Sequence, residues 1–285
     1  MKLSQPKADV FVPDGQPIEG ALARTTHLGV GAHQDDLEFM SLHGVLECFD
    51  REDRWYAGVV VTDGGGSART GPFAEYSDEE MQQVRVGEQR EAASLGRYGS
   101  QIQLMFSSAE VKDASCADPY QDLQTVVDLA RPEIVYLHNP ADKHDTHVAC
   151  CVRTIAALRS LPADARPKRV LGCEVWRDLD WLIEADKVTL PLEDPADLGP
   201  RLAKLFESQI AGGKRYDLAV QGRQVANATF HQSHEVDQHR ALSFAMDLSP
   251  LVADPSLDIT EFALAHLRRT AKDVEERIRR MSGAA

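Results

Sequence analysis

The chain has 285 residues, of which 43% are hydrophobic and 27% are charged, and its formal net charge is -14. This length suits one large α/β domain, and the acidic balance argues against a nucleic-acid or anionic-membrane partner. No apolar stretch is long enough for a membrane span, and the polar first residues lack the centre of a signal peptide, so we expect a cytoplasmic protein. Five cysteines without a CxxC pair indicate reduced thiols.

Strand-like and helix-like segments alternate along the first two thirds of the chain. Apolar, β-branched runs that end in turn residues predict strands, and apolar residues spaced three and four apart predict helices. In chain order the sequence predicts strands at 26–33 and 54–67, a helix at 78–96, a strand at 100–106, a helix at 120–132, a strand at 133–140, a helix from about 148 and a strand at 169–176. This alternation predicts parallel βαβ units in a doubly wound, mostly parallel α/β sheet.

Beyond about residue 185 the pattern becomes mostly helical. We therefore divide the chain into a doubly wound domain at 1–185 and a mostly helical part at 186–285 that packs on the same domain. The last helix repeats apolar residues at alternating spacings of three and four, a coiled-coil-like seam made by Leu264, Leu267, Ala271, Val274, Ile278 and Met281. An amphipathic helix packed on its own domain is the simpler interpretation, but the seam permits a homo-oligomer.

Three polar segments follow three of the predicted strands. The segment "GAHQDDLEF" (31–39) crowds one histidine and three carboxylates, "TDGGGSART" (62–70) is a glycine loop, and "HNPADKHDTH" (138–147) contains three histidines. In doubly wound sheets, ligands bind outside the carboxyl ends of the strands. The three segments are therefore expected to share one rim.

The sequence lacks the motifs of three common nucleotide-binding and hydrolase sites. A dinucleotide fingerprint needs a third glycine where this chain has Gln34, and the carboxylates of Asp35 and Asp36 would repel a pyrophosphate. The sequence has no GxxxxGK[ST] loop and no GxSxG elbow, which argues against a P-loop and against an α/β-hydrolase serine.

A metal site explains the crowded charge better. His33 and Asp36 are three residues apart at a predicted turn, and His144 and His147 repeat that spacing in the later loop. A catalytic zinc takes three nitrogen and oxygen ligands and keeps one open position, and a cation neutralises paired carboxylates. A single aspartate at a helix start is usually a cap, so either pair alone would be structural, but two pairs on one rim favour a site.

The motifs resemble a known enzyme family. "AHQDDLE" (32–38) and "NPADKHDTHVA" (139–149) are similar to the two metal motifs of the PIG-L/LmbE-like zinc-dependent de-N-acetylases, and "TDGG" (62–65) and "RVGEQREAA" (85–93) resemble that family's glycine loop and R-x-x-E helix. The likeness covers roughly residues 25–160 and is specific because four motifs match in order.

The resemblance implies a Rossmann-like catalytic domain and a zinc-dependent hydrolase that removes acetyl or another acyl group from the amide nitrogen of an amino sugar or a related small molecule. It implies that His33, Asp36 and His147 bind one Zn²⁺ per chain, and Fe²⁺ or Co²⁺ would suit the same ligands. The expected partner is a small N-acetylated molecule such as a sugar.

The resemblance also assigns catalytic roles. Asp35 would be the general base for the metal-bound water, His144 would stabilise the oxyanion or act as an acid, and Arg85 would contact the substrate or the tetrahedral intermediate. Arg85 lies among other charges in its predicted helix, so a solvated surface position is an equal alternative. The chain departs from the family at Gln34, where proline is usual, and at Thr146, where an aspartate is usual and where Asp145 or Asp142 would have to replace it.

Two other functions stay open at this point. One is an amidase that acts on a larger sugar conjugate with the same zinc site, and the other is a protein that binds metal or sugar without turnover. Asp35 argues against the non-catalytic protein, because a site that only binds needs no spare carboxylate. At the end of the last predicted strand and just beyond it, Trp176 and Trp181 could line the rim as a wall that stacks on a sugar, but we favour burial in the core for both.

Overall fold

Eight strands form one mixed sheet in the computed structural model of this chain, which describes residues 1–194 and 196–283. The strands are β1 (Asp9–Phe11), β2 (His27–Gly31), β3 (Tyr56–Thr62), β4 (Ser100–Phe106), β5 (Ile134–His138), β6 (Arg169–Cys173), β7 (Lys187–Pro191) and β8 (Leu242–Asp247). Their order across the sheet is β1-β4-β3-β2-β5-β6-β8-β7.

The five central strands run parallel. β2 pairs with β3 on one side and with β5 on the other, so that Leu28 lies opposite both Ala57 and Val135. The strand order reverses direction between β2 and β5, and this reversal is the point at which a doubly wound sheet opens a crevice for ligands. The predicted α/β fold with a doubly wound, mostly parallel sheet is confirmed.

Twelve helices within the described residues cover the sheet and connect its strands. They are α1 (Ile18–Ala23), α2 (Asp36–Met40), α3 (Leu42–Cys48), α4 (Asp78–Leu95), α5 (Ser108–Lys112), α6 (Asp118–Ala130), α7 (Asp145–Arg159), α8 (Leu198–Ala203), α9 (Glu207–Ile210), α10 (Tyr216–Phe230), α11 (Ser249–Ala253) and α12 (Ile259–Ser282). Short 3-10 turns occupy Gly71–Phe73, Ala163–Ala165 and Glu184–Asp186. In the same residues, no helix combines the length and the apolar character that crossing a bilayer requires.

Apolar side chains are buried on both faces of the sheet. On one face, Val30, Val59 and Leu137 pack beneath α1, α5, α6, α7 and α11. On the other face, Tyr56 and Tyr136 pack beneath α2, α3, α4 and α8. Because both faces are covered, the central strands are continuous apolar runs rather than alternating ones.

The C-terminal part of the chain adds two strands that the sequence did not predict. β8 pairs antiparallel with both β6 and β7, which extends the sheet beyond its parallel centre. Phe244 and Met246 face one core cluster while Ala245 faces another, so β8 lacks the alternation of polar and apolar residues that marks a half-exposed strand. Since these strands belong to the main sheet, the division at residue 185 stays a prediction.

Helix α12 begins on the body of the protein and ends away from it. Phe262 packs against the core, and the Thr270 hydroxyl donates a hydrogen bond to the Trp181 carbonyl at 2.6 Å. Farther along the helix, Ile278 and Met281 are 63% and 77% exposed. All six residues of the predicted apolar seam are exposed, from Leu264 and Leu267 at 37% and 40% to Met281 at 77%. The seam is therefore not the face of α12 that packs on the body of the protein.

Candidate metal centre and active site

The three polar segments meet at the carboxyl edge of the sheet. Thr62, which ends β3, donates its backbone N–H to the Ala32 carbonyl at 2.9 Å. Ala32 in turn donates its own N–H to Nε2 of His138, the last residue of β5, at 2.9 Å. Parallel pairing of β2 with β3 and β5 therefore brings the loops together, as the sequence predicted.

His33, Asp36 and His147 form a compact triangle of donor atoms. His33 Nδ1 lies 3.3 Å from Asp36 Oδ2 and 3.3 Å from His147 Nε2, and His147 Nε2 lies 3.5 Å from Asp36 Oδ2. Asp36 and His147 are buried, and His33 is partly exposed. The backbone N–H of His33 also donates to Asp36 Oδ2 at 2.7 Å, which fixes the carboxylate at the start of α2.

The triangle fits a tetrahedral divalent ion. Zinc bonds to nitrogen and oxygen are about 2.0–2.2 Å long, so two ligands of a tetrahedral site lie roughly 3.3–3.5 Å apart. The three donor separations here fall in that interval. Two imidazole nitrogens that face each other and one carboxylate also match the donor types of a catalytic site with one open position.

Asp142 fixes the orientation of His147. Asp142 Oδ2 lies 3.3 Å from His147 Nδ1, so the Nδ1 proton is donated there and Nε2 is left as the bare nitrogen of the triangle. Burial opposes protonation of His147, but the charges of Asp36 and Asp142 outweigh it and raise its pKa. Burial likewise opposes ionisation of Asp36, yet the histidines around it hold its pKa well below the ordinary value. Both effects indicate an environment that favours a cation.

His138 supports this site, and the sequence assigned it no more than a structural or pocket-lining role. Its ring stacks on His147 with centroids 3.8 Å apart, and burial lowers its pKa to about 4. His138, Asp142 and His147 also gather three donor groups. His138 Nε2 accepts the Ala32 N–H and lies 3.3 Å from Asp36 Oδ2, while its Nδ1 is buried with no hydrogen-bond partner among the described residues. Its place at the carboxyl end of a central strand was the signal in the sequence.

Asp35 lies beside the triangle in a strained conformation. Its φ of 91° is in the left-handed region, which non-glycine residues avoid. Burial raises the pKa of Asp35 well above its usual value, and Arg85, whose Nη2 is 3.6 Å from Asp35 Oδ2, opposes that rise. A buried carboxylate with raised pKa next to a metal triangle has the character of a general base.

Arg85 is buried in the site rather than solvated on the surface of α4. Its exposure is 3%, and its guanidinium donates to the Gln34 carbonyl and to Ser67 Oγ. Ser67 belongs to the glycine loop, so Arg85 ties that loop to the first metal motif. Of the two interpretations of Arg85, the structure supports the one that places it in the site.

His144 lines the cavity next to the triangle. Its ring centroid lies 5.1 Å from that of His33 and 4.6 Å from that of His147. Burial and the two neighbouring imidazoles lower its pKa. Asp142, one of the two proposed substitutes for the missing motif aspartate, binds His147 instead, and Nδ1 of His144 is buried with no hydrogen-bond partner in the described parts of the chain.

A buried network behind Asp35 was not predicted as a unit. Gln89 accepts the Asp35 N–H at 3.3 Å and donates to Glu38 Oε1 at 2.8 Å, and Tyr98 donates to the same Glu38 oxygen at 2.7 Å. Burial raises the pKa of Glu38 to about 7. Through the Gln89 hydrogen bond, this network holds the strained backbone of Asp35 in place. In the sequence, only the position of Glu38 in the first metal motif indicated that such a network exists.

The site opens into a cavity of about 610 Å³. The cavity is lined by His33 and Asp36 of the metal triangle and by Asp35, and also by Trp176, Lys143, Lys214 and Tyr216. Trp176 is therefore part of the cavity wall, contrary to our preference for the core, whereas Trp181 packs against the core as expected.

Ser208 attaches α9 to α4 beside this cavity. Its backbone N–H and hydroxyl donate to the buried Glu88 carboxylate at 2.7 and 2.6 Å, which joins α9 to α4. The adjacent Gln209 lines the cavity. The C-terminal part of the chain thus supplies cavity residues next to the motifs of the first half.

Residues 28–158 match a family model described as PIG-L: GlcNAc-PI de-N-acetylase. No curated protein matches the chain. The matched range includes the three proposed metal ligands, Asp35, Arg85 and His144.

Solved structures share the fold at low sequence identity. N,N'-diacetylchitobiose deacetylase from Pyrococcus horikoshii is similar at 15% identity and a TM-score of 0.61, over 81% of this chain and 86% of that one. The conserved protein TT1542 from Thermus thermophilus is similar at 17% identity and a TM-score of 0.60, over 82% and 99%. GalB, the 4-carboxy-2-hydroxymuconate hydratase from Pseudomonas putida, is similar at 15% identity and a TM-score of 0.57, over 79% and 96%. These likenesses establish a common fold.

Proposed function

We propose that this chain, whose residues 28–158 match the PIG-L: GlcNAc-PI de-N-acetylase model, is a metal-dependent de-N-acetylase of that family and hydrolyses the acetamide of an N-acetylated amino sugar or a closely related small molecule. The observation that carries the proposal is the donor triangle of His33, Asp36 and His147 with the buried carboxylate of Asp35 beside it. Zinc is the proposed ion, and the cytoplasm is the proposed location.

His33, Asp36 and His147 would hold the ion. A divalent ion in this position supplies Lewis-acid polarisation of the amide carbonyl and acidifies a water toward a pKa of about 7. Asp142 accepts a hydrogen bond from the Nδ1–H of His147, which favours the tautomer with an unprotonated Nε2 and so prepares the ring for a cation.

Asp35 would accept the proton of the attacking water. Its raised pKa brings the carboxylate nearer to the pH at which it must first take up and then release a proton, a match that makes general bases efficient. The left-handed backbone and the Gln89 hydrogen bond hold it in place. Asp35 would then pass the proton to the amine nitrogen as the carbon–nitrogen bond breaks.

His144 and Arg85 would bind the charge that develops on the carbonyl oxygen. The lowered pKa of His144 favours a neutral ring, which can still donate one N–H to an oxyanion. Arg85 is buried and fixed by Gln34 and Ser67, so its cationic group is preorganised near Asp35. One preorganised donor to an oxyanion contributes roughly 2.7–4 kcal/mol to transition-state stabilisation.

The fold alone does not select this reaction. The similar structures include a hydratase as well as deacetylases. The family match over residues 28–158 favours amide hydrolysis, and the spare carboxylate of Asp35 beside the triangle suits the activation of water. A larger conjugate would fit the same site if its other end extended from the open cavity.

The test is acetate release by the purified chain, measured together with its metal content. We expect zinc-loaded protein to release acetate from N-acetylglucosamine derivatives, and Asp35→Asn to keep its metal while kcat falls by about 10²–10⁴-fold. Asp164→Asn, the same change at an exposed position far from the cavity, is the matched control. Unchanged turnover in Asp35→Asn would refute the assigned base. A metal-loaded protein that releases no acetate from any such amide would refute the proposed function.

A further inference from the structure

We propose that Trp176, Lys143 and Lys214 form a subsite for an anionic group of the substrate, a proposal that rests on the proposed function. These side chains come from three separate places in the chain. Lys143 lies in the loop between β5 and α7, Trp176 follows β6, and Lys214 precedes α10. Lys143 lies within the second metal motif, between Asp142 and His144, whereas Trp176 and Lys214 lie outside the motifs. All three line the cavity.

The two ammonium groups lie close to one aromatic ring. Lys143 Nζ is 5.6 Å and Lys214 Nζ is 5.5 Å from the Trp176 ring centroid, which is within cation–π distance. The Trp176 ring also meets Tyr216 edge-on at 5.9 Å and lies 6.1 Å from the His144 ring. The subsite is therefore adjacent to the proposed oxyanion-binding histidine.

Among the described residues, no carboxylate forms an ion pair with Lys112, Lys143 or Lys214, the lysines that line the cavity. Within residues 1–194 and 196–283, the lysines that form ion pairs are Lys168, Lys187 and Lys272, and none of these lines the cavity. Lys143 and Lys214 are exposed and form no such pair. Unpaired cations at a cavity are available to a ligand.

Charge is distributed unevenly along the cavity. Lys143 and Lys214 lie around Trp176, whereas Asp35 and Asp36 lie at the metal triangle, where Arg85 adjoins Asp35. The other charged residues of the lining are Asp63, Lys112 and Arg223. The chain as a whole has a net charge of -14, which repels anions from most of its surface. A local pair of cations gives an anionic substrate a favourable position. It also favours the orientation in which the negative charge of the substrate lies away from the carboxylates of Asp35 and Asp36.

The chemistry of the subsite defines the substrate class. Tryptophan and tyrosine provide apolar faces for a pyranose ring, and two ammonium groups provide charge-assisted hydrogen bonds to an oxyanion. The subsite therefore suits an N-acetylated amino sugar that also bears a carboxylate or a phosphate. Its amide would reach the metal triangle while its anionic group contacts the two lysines.

The experiment compares matched substrates with the zinc-loaded full chain. N-acetylglucosamine is the neutral probe, N-acetylmuramic acid adds a carboxylate, and N-acetylglucosamine 6-phosphate adds a phosphate. We expect kcat/KM to be about 2–30-fold higher for one of the anionic probes, mainly through a lower KM, because each of two exposed ion pairs adds a small favourable interaction. Which anionic probe is preferred separates the carboxylate from the phosphate as the source of the charge.

Substitutions then locate the preference. In Lys143→Gln/Lys214→Gln, the ratio of kcat/KM for the anionic probe to that for the neutral probe should fall to about one, a loss of about 2–30-fold. Lys214→Gln alone leaves Lys143, the neighbour of His144, unchanged and should cause part of the fall in that ratio. Lys204→Gln, an exposed lysine outside the cavity, is the matched control and should keep the wild-type ratio. An equal preference for neutral and anionic probes in the native protein would overturn the proposal.

A binding measurement separates the two proposals. Calorimetric titration of metal-free protein with glucosamine and glucosamine 6-phosphate reports on the subsite without turnover. Tighter binding of the phosphate, lost in Lys143→Gln/Lys214→Gln, would support the subsite even if no acetate were released, and the proposed function alone would fail. Acetate release without any charge preference in rate or binding would refute the subsite alone.

Discussion

Buried histidines lie at both edges of this sheet, and their surroundings differ. His27, at the amino end of β2, is 4% exposed, and its Nδ1 lies 2.9 Å from the Thr26 hydroxyl. Burial lowers its pKa to about 4. His147, at the carboxyl edge, is fully buried, but Asp36 and Asp142 raise its pKa.

The difference shows what converts a core histidine into a ligand. Burial alone keeps an imidazole neutral, and His27 then serves as a packing residue that stacks near Tyr136. Burial between carboxylates produces a site where a positive charge is favoured, either as a proton or as a metal ion. Sequence alone does not separate the two cases, because both residues adjoin apolar strands.

Loss of a carboxyl-edge histidine should have the largest effect. His147→Ala removes one of three donors, so we expect metal content to fall from about one ion per chain to almost none, with loss of all acetate release. His27→Gln should keep the full metal content. Elemental analysis of both variants after dialysis measures the metal content per chain. If His27→Gln loses its metal as His147→Ala does, the distinction between a core histidine and a ligand histidine is wrong.

Loss of the carboxylate behind His147 should have an intermediate effect. Asp142→Asn keeps the size of the side chain but weakens the orientation and basicity of the ligand, and we expect metal affinity to fall by about 10–100-fold. Competition with a chromogenic chelator measures it. Asp145→Asn, an exposed neighbour, is the control. Equal affinities for Asp142→Asn and the native protein would show that the triangle needs no such support.

The smallest effect is expected from the titration of His27. Its pKa is 6.5 ordinarily and about 4 in the folded protein, so between these values the unfolded chain binds a proton that the folded chain does not. The free energy of unfolding therefore decreases as pH falls through that interval, by at most about 3 kcal/mol.

His27→Gln should remove this contribution and lose less stability on acidification than the native protein. Urea unfolding of the metal-free forms at about pH 7.5 and about pH 4.5 gives the two differences to compare. The same loss in both proteins would mean that His27 does not titrate as its burial requires.

The sequence predicted the centre of the molecule well. His33 and Asp36 could be placed beside His144 and His147 because each pair follows a strand, and parallel strands bring their carboxyl ends to one edge. The fold class followed from the same alternation of strands and helices.

Other features depend on distant partners and could not be predicted. β8 (LSFAMD) has no alternation of polar and apolar residues and, unlike the predicted strand β3, contains no β-branched residue, so neither period nor composition marks it as a strand. Arg85 is buried because the glycine loop folds over it and Ser67 accepts its hydrogen bond. Asp142 pairs with His147 because of the way α7 packs near the end of β2. Trp176 lies in the cavity because α10 covers it from the C-terminal part.

The conformation of Asp35 has an evolutionary consequence. A non-glycine residue at φ 91° costs the folded state on the order of 1–3 kcal/mol, and glycine would adopt the same backbone with little strain. Selection for stability alone would therefore favour glycine at position 35. The presence of an aspartate implies that selection for chemistry has outweighed selection for stability, and a lineage released from that chemistry would gain stability by losing its base.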